Sequence, residues 1–523
     1  MLAAIEAGRA ELTTTRDQIA ATTGAVEADI FTAHLLLLDD EELSGRAAEL
    51  VEREPITAPQ AWRRAVDEVA TRFDDLADPY LRARADDVRA VGDHVLGHLL
   101  GRKATTEASA AGVVVAADLT PAQVAVMDPS RVVAIVTALG TPVSHGAILA
   151  RSLGIPAVVG AGNEVLAVRD GTTILVDGSE GVVVVDPDAE VQARYRTRAT
   201  DQRLRAEGLR AQATRPAVTT DGTRIAVEAN IASVDDAVQA VEHGADSVGL
   251  LRTEFLFLDR AEPPSEDEQL AIYTSMAEAL DGRRLTVRTL DAGGDKPLPY
   301  LPVTGEANPF LGCRGLRLSL QHLEVFKPQL RALVRLGLHH PVTVLFPMVT
   351  TIDELRAARA LLDEAAADVG CRSGQLPPAF EVGAMAEVPA FALRARAASP
   401  LVDLISVGSN DLTQYTTASE RGNNAVAALA DALDPAVLQL IGEVTHAATA
   451  TTRVAVCGEL AADPAAAALL VGLGVRGLSM TPRAIPAVKD AVRSLSLAKA
   501  QHLARLALQR DSAASVRALL ADL

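Results

Sequence analysis

His145 closes the loop Thr141-Pro142-Val143-Ser144 and opens the amphipathic stretch Gly146-Ala147-Ile148-Leu149-Ala150-Arg151, just after the apolar run Val132 to Val136. The spacing predicts a strand, a turn, and then a histidine at a helix start. Free backbone N–H groups and the positive dipole end at such a position favour a dianion beside the imidazole, so the ring could carry phosphate on nitrogen. Taken alone, the same histidine reads as readily as a capping or packing residue. The remaining candidates are what give it a chemical context.

Four arginines form the second group: Arg252 in Leu251-Arg252-Thr253-Glu254, Arg288 in Val287-Arg288-Thr289, Arg314 in Cys313-Arg314-Gly315 and Arg421 in Glu420-Arg421-Gly422, on or just after expected strands. A guanidinium stays charged and binds carboxylate or phosphate oxygens in pairs, so a convergent set predicts a small polyanion. Structural ion pairs are the competing explanation. The acidic balance of the chain and the cost of desolvating four strand-end arginines favour the anion site. Glu387, in Met385-Ala386-Glu387-Val388-Pro389, and Asp411, in Ser409-Asn410-Asp411-Leu412, end consecutive expected strands. Two such carboxylates suit Mg2+, which takes few protein carboxylates and completes its shell with phosphate and water. Cys457, in Val456-Cys457-Gly458-Glu459, follows the next expected strand. Its thiol is either a proton donor or a small buried hydrophobe.

Composition narrows the class of protein that holds these groups. At 523 residues the chain exceeds one core and implies roughly three domains of about 150 residues, one of which can be a large barrel. A formal charge of -19 without a long basic run excludes a nucleic-acid binder and suits a basic partner. Only 3% of residues are aromatic, with Trp62 the single tryptophan, which removes base-stacking platforms. No apolar run is long enough to span a bilayer, and the Met1 region, with Glu6, Arg9 and Glu11, reads as amphipathic helix rather than signal peptide. Cys313, Cys371 and Cys457 have neither paired nor metal-ligand spacing, which points to a reducing cytoplasm.

The elements that position the candidates fall into four stretches. Residues 1–102 carry helical periodicity, for example Phe31-His34-Leu35-Leu38 and Ala85-Val88-Val91-Val95-Leu99, with turns at Pro55 to Pro59 and Asp78-Pro79. This is an antiparallel helical bundle whose acidic runs, Asp39 to Glu42 and Asp86-Asp87, read as solvated faces. Residues 103–188 change to short β-branched runs, Val113–Val115, Val132–Val136, Ala157–Val159, Thr173–Val176 and Val182–Val185, a small α/β domain with His145 on its rim. Residues 189–214 form a charged connecting helix. Residues 215–523 hold eight strand candidates, from Ile225–Asn230 to Gly477–Met480, alternating with helices, the pattern of a (β/α)8 TIM-type barrel. Chemistry in that architecture sits where strands end, and there the sequence places Asn230, Arg252, Arg288, Asp291, Glu387, Asn410, Asp411 and Cys457.

On several of these segments the chain resembles enzyme I of the bacterial phosphotransferase system, the phosphoenolpyruvate-protein phosphotransferases. They are Ser144 to Gly160 (SHGAILARSLGIPAVVG), Gly249 to Arg260 (GLLRTEFLFLDR), Arg288 to Lys296 (RTLDAGGDK), Asn308 to Arg317 (NPFLGCRGLR), Gly383 to Pro389 (GAMAEVP), Ser406 to Asn423 (SVGSNDLTQYTTASERGN) and Cys457 to Leu460. The resemblance implies a multidomain α/β protein in which 1–102 docks the phosphocarrier protein HPr, 103–188 is a swivelling phosphohistidine domain, 189–214 is a linker helix and 215–523 is the phosphoenolpyruvate-binding and dimerising barrel. It implies His145 as phosphoacceptor, Cys457 as the acid that protonates the enolate, and Glu387 and Asp411 as Mg2+ ligands. Arg252, Arg288, Arg314 and Arg421 become anion clamps, with Asn410 assisting. The partners implied are phosphoenolpyruvate, HPr and a second copy of the chain, in the cytoplasm, with no nucleic acid and no membrane insertion.

Three departures qualify these expectations. Met1 already lies in the family's helical insertion, so either the recorded start is late or the phosphohistidine domain lacks a first strand and exposes a sheet edge. Val143 stands where the family tends to have threonine, and Val124 at a further hydroxyl position. Hydroxyls near an imidazole fix its tautomer, so slower phosphorylation is expected. A degenerate phosphoenolpyruvate-sensing or partner-docking protein with weak turnover is therefore the alternative. The related synthases and dikinases need an ATP-binding region, and no Gly-rich phosphate loop precedes the histidine segment.

Overall fold

The computed structural model describes the chain except for residues 23–30, 32–33, 36, 39–40, 75–78, 101–110, 126, 141–144, 259, 261, 295–297, 299, 302–305, 307, 372–373, 421–425, 427–428 and 522–523. It comprises two compact units, Met1–Gln202 and Arg203–Leu523.

In the first unit the helices Leu2–Thr22, Glu41–Arg53, Ala58–Asp74 and Pro79–Leu99 bury the apolar positions of their helical repeats. Ala85, Val88, Val91 and Val95 are sealed from solvent, as are Phe31, His34, Leu38 and Trp62. Asp87, expected on a solvated face, is buried with its Oδ1 3.4 Å from His34 Nε2. The reason is periodicity: residue 87 lies one turn before Val91 and two before Val95, on the inward stripe. Of the other acidic positions, Asp39 and Asp40, like the side chains of Glu41, Glu42 and Asp86, lie outside the described residues.

The β-branched runs form five short strands: β1 (Gly112–Ala116), β2 (Val132–Thr137), β3 (Ala157–Val158), β4 (Ile174–Asp177) and β5 (Val182–Val185). β1, β2 and β3 make a parallel sheet in that order, and β4 pairs with β5 as an antiparallel hairpin. Helix His145–Ser152 follows β2 and packs Leu149 and Ala150 into the core shared with the helices. Helix Ala189–Ala211 comes next and has no buried residue, as its charged composition dictates.

In the second unit β6 (Ala217–Val218) pairs antiparallel with β7 (Arg224–Ile231). β8 (Val248–Leu251), β9 (Leu285–Arg288), β10 (Val342–Phe346), β11 (Phe380–Ala386), β12 (Leu404–Val407), β13 (Arg453–Val456) and β14 (Gly477–Met480) follow, each parallel to its neighbour. β14 pairs back onto β7, so eight parallel strands close into the expected barrel. Strands buried on both faces read as continuous apolar runs, which is why Val342–Phe346 is buried throughout. Side chains nevertheless alternate. On β11, Phe380, Val382, Ala384 and Ala386 join the core beneath the surrounding helices, so Glu381, Met385 and Glu387 take the opposite, interior phase. The same phase sends Arg288 of β9, Asn230 of β7 and Cys457 just beyond β13 inward.

The helical unit contains one close approach that a side chain cannot share. Trp62 Nε1 donates to the Gly92 carbonyl at 2.9 Å, and a Cβ on Gly92 would lie 2.5 Å from Val66 Cγ1. Gly92→Ala is expected to cost this unit about 1–3 kcal/mol by overpacking, read as a lower melting transition of the helical unit with the barrel transition unmoved. Equal melting of variant and wild type would show that the helices part without strain.

Candidate active site at the barrel mouth

Arg288, the last residue of β9, is buried and placed between two carboxylates. Its Nη2 donates to Glu254 Oε1 at 2.6 Å, and its Nη1 lies 3.2 Å from Asp291 Oδ2. Asp291 in turn receives Arg314 through both oxygens, Nε to Oδ1 at 3.0 Å and Nη2 to Oδ2 at 3.0 Å. Arg314 Nη1 reaches Asp411 Oδ1, also at 3.0 Å. The chain Glu254–Arg288–Asp291–Arg314–Asp411 thus crosses the mouth of the barrel. Arg314 is not a strand-end residue as expected. It lies far along the connection after β9, immediately before helix Leu316–Gln321, and the fork to Asp291 is what brings it back.

Glu387 follows β11 and faces the same space. The Met348 backbone N–H donates to its Oε2 at 2.8 Å, from a residue held at φ 54°, a conformation that costs energy outside glycine. A Cβ on Gly408 would sit 2.7 Å from Glu387 Oε1, so only glycine leaves that oxygen uncrowded. Burial pushes the Glu387 carboxyl up to about 8, and Asp411 and Asp291 add repulsion that Arg288 and Arg314 only partly offset. Asn410 and Asp411 open helix Ser409–Thr417; Asn410 Nδ2 donates to Glu459 Oε1 at 3.1 Å and its Oδ1 accepts the Glu459 backbone N–H, also at 3.1 Å.

Cys457 packs in the barrel interior with Leu250, Leu345, Met385, Leu404 and Ala455. Burial pushes its thiol up to about 11; Glu387 pushes the same way, and Arg288 and Arg252 pull against it. The group is a protonated thiol at neutral pH, with Sγ 3.6 Å from the Val407 carbonyl. Arg252 follows β8 on the exposed rim, close enough to act on that thiol. Arg421 and the loop residues Thr141, Pro142, Val143 and Ser144 lie outside the described residues. His145 begins helix His145–Ser152, as expected, though its side chain is outside the description.

Two features of this cluster point to missing ligands. Arg288 Nε is buried with no hydrogen-bond partner among the described residues, a charged donor left uncommitted. Charge is also unbalanced: the buried guanidinium groups of Arg288 and Arg314 face the carboxyl groups of Glu254, Asp291, Glu387 and Asp411. A divalent cation held by Glu387 and Asp411 fits that deficit and an oxygen-only donor set. Glu254 and Asp291 stand in the quoted sequence segments, yet nothing in their spacing distinguished them from strand-end polar residues. The signal was their nearness to two arginines that needed charge partners.

Because its pKa is raised in the fold, Glu387 contributes stability that is full below the ordinary carboxylate range and is lost as pH rises through about 8. In the absence of divalent cation the melting temperature of the barrel is expected to fall as pH rises from about 5 to about 8 and to level off above that, by an amount on the order of a few kcal/mol in stability. Glu387→Gln should flatten that slope, and saturating Mg2+ should lessen it in the wild type. Parallel pH profiles for wild type and variant would refute this origin of the shift.

Comparison with known proteins agrees with this geometry. Residues 206–497 match the family described as PEP-utilising enzyme, PEP-binding domain; residues 109–181 match its mobile domain and residues 1–84 its N-terminal domain. The chain is 42% identical over 513 residues to the multiphosphoryl transfer protein of Rhodobacter capsulatus, covering 97% of this chain but only 61% of that protein. It is 42% identical over 522 residues to the phosphoenolpyruvate-protein phosphotransferase of Haloferax volcanii, covering 98% of this chain and 89% of that one. The corresponding protein of Staphylococcus carnosus is 38% identical over 509 residues, covering 97% of this chain and 89% of its own length. With such likeness running through both units, the chain belongs to the PEP-utilising enzymes and, among them, to the phosphoenolpyruvate-protein phosphotransferases.

Proposed function

We propose that this chain moves the phosphoryl group of phosphoenolpyruvate to His145 and then to a histidine of the phosphocarrier protein HPr, releasing pyruvate, as the first step of a sugar phosphotransferase system. The observation that carries the reading is the meeting of Arg288, Arg314, Glu387, Asp411 and Cys457 at one barrel mouth, with Arg288 Nε unpartnered. Phosphoenolpyruvate is a small polyanion with a carboxylate and a phosphate, and buried guanidinium groups are suited to both. Arg252, Arg288, Arg314 and Arg421 bind it, and Asn410 assists. Mg2+ held by Glu387 and Asp411 would, when bound, offset the negative charge of the phosphate oxygens.

In the reaction the His145 imidazole attacks phosphorus, the bond from phosphorus to the enol oxygen breaks, and an N–P bond forms. The enolate left behind takes a proton at carbon three from the Cys457 thiol, giving pyruvate; the thiolate recovers its proton from water. A thiol raised to about 11 is protonated when needed and does not compete as a nucleophile. The N-terminal helical unit would dock HPr, for which the charge of -19 suits a basic partner. Family membership supports a homodimer through the barrel. Among the described residues no helix is long and apolar enough to cross a membrane.

Val124 supports the second reading, a phosphoenolpyruvate sensor with weak turnover. It is buried, and its Cγ2 comes 3.9 Å from where a Cβ on Gly146 would lie, so a methyl group occupies the start of the His145 helix where a hydroxyl was expected. Incubation with phosphoenolpyruvate and Mg2+ separates the two. Pyruvate release with an acid-labile, base-stable phosphoprotein supports the transferase, and binding without either product supports the sensor.

His145→Ala is expected to bind phosphoenolpyruvate with ordinary affinity while incorporating no phosphate, and normal stoichiometry in that variant would refute the acceptor. Cys457→Ala should slow pyruvate formation by roughly 10²–10⁴-fold with binding retained. Unchanged turnover would return the thiol to a packing role.

A further inference from the structure

A second constellation of ligand-type side chains lies in the helical unit. His94 and His98 are one turn apart on helix Pro79–Leu99 and therefore project from one face. Glu11, on helix Leu2–Thr22, meets them: its Oε2 lies 2.9 Å from His98 Nε2 and 3.7 Å from His94 Nε2. One ligand atom from each of the three falls within 4.8 Å of the others. The rings are edge to face, with centroids 5.3 Å apart, and both nitrogens address the same oxygen. Gly8, one turn before Glu11, leaves room for them, since a Cβ there would touch His94 Cδ2 at 3.3 Å.

Hydrogen bonding satisfies only half of this group. Glu11 pairs with His98 at bonding distance, whereas His94 Nε2 is sealed from solvent and has no hydrogen-bond partner among the described residues. A buried ring nitrogen without a partner is a cost that native structures seldom tolerate. A tetrahedral metal with bonds of about 2.0–2.1 Å would place its ligand atoms about 3.3 Å apart, and the two distances to Glu11 straddle that value.

We propose that Glu11, His94 and His98 form a site for a zinc-class divalent cation that fastens helix Leu2–Thr22 to helix Pro79–Leu99. Two imidazoles and one carboxylate select a borderline transition metal over Mg2+, which prefers oxygen donors in an octahedron. With three protein ligands, the fourth position is left to water. The site is separate from the carboxylates of the barrel and does not depend on the phosphoryl-transfer reading.

The test is zinc titration of the full chain by calorimetry in excess Mg2+, which occupies oxygen-donor sites. One equivalent of Zn2+ should bind, and the helical unit should melt at higher temperature with it. His94→Gln and His98→Gln should each weaken binding by at least tenfold, on the order of 100-fold, while Glu387→Gln should bind as the wild type does. Should the histidine variants fail to fold, ring 15N resonances of the wild-type protein serve instead: two histidines should shift on zinc addition. No bound equivalent, full affinity in both histidine variants, loss in Glu387→Gln alone, or unmoved ring resonances would each overturn the site.

Discussion

The Asp291 carboxylate is the constraint on which the mouth of the barrel depends. Its side chain has no exposure, and it holds Arg288 from one side and the fork of Arg314 from the other. Arg288 is placed by its strand, but Arg314 belongs to a long connection and has no strand to fix it. Without Asp291 the two buried guanidinium groups would repel each other with only Glu254 and Asp411 left to them, and a buried charge short of partners is far costlier than a fully paired one. With it, both planes are set and Arg288 still keeps one donor uncommitted. The site is therefore preorganised for an anion instead of being assembled by one.

That preorganisation rests on a barrel whose interior is layered. Near the strand starts, Arg453 Nη2 lies 2.6 Å and Arg284 Nη2 3.3 Å from the Glu381 carboxylate, and Ser247 donates to Glu228 at 2.7 Å. Above this polar floor comes the apolar plug of Leu250, Leu345, Met385, Leu404 and Ala455, together with Cys457. Only above the plug do Arg288, Glu387 and Asp411 appear. β11 passes through all three levels with Glu381, Met385 and Glu387, each two or four residues on from the last, because a strand returns to the same face every second residue. The plug keeps water and the floor's charges away from the chemistry, and it makes burial the first cause of both shifted pKa values at the mouth.

Much of this was legible in sequence because strand ends and period-two alternation are local properties. The eight barrel strands fall on the short runs expected to hold them, and β14 matches its expected bounds residue for residue. Glu387 and Cys457 were found since each directly follows such a run. Arg314 was found by type but given the wrong kind of position, because the fold and not the neighbouring residues returns it to the mouth. The pairing of Asp291 with Arg288 is local, three residues apart, and was legible only as nearness in sequence; its fork to Arg314 and the pairing of Glu254 with Arg288 join residues more than twenty apart, which only the fold brings together. Asp87 failed for the opposite reason: charge was allowed to outweigh a helical repeat that put it on the inner stripe. The His94–His98 spacing was visible, but its carboxylate partner comes from a helix more than seventy residues away, and only packing could supply it.

The two titratable groups at the mouth are both raised, yet they respond differently to whatever enters. Around Glu387, Asp411 and Asp291 raise the carboxyl after burial has done so, while Arg288 and Arg314 lower it. Its protonation therefore follows the local charge, and a cation arriving beside it favours the ionised form. Cys457 is governed first by desolvation among apolar neighbours, opposed by the Ser406 hydroxyl, with charge influences smaller still and of mixed sign. An anion or cation bound above it leaves that desolvation in place, so the thiol stays protonated while the carboxyl beside it ionises. A thiol in the plug with carboxylates above it lets one site keep a proton on sulfur while the charge above it changes.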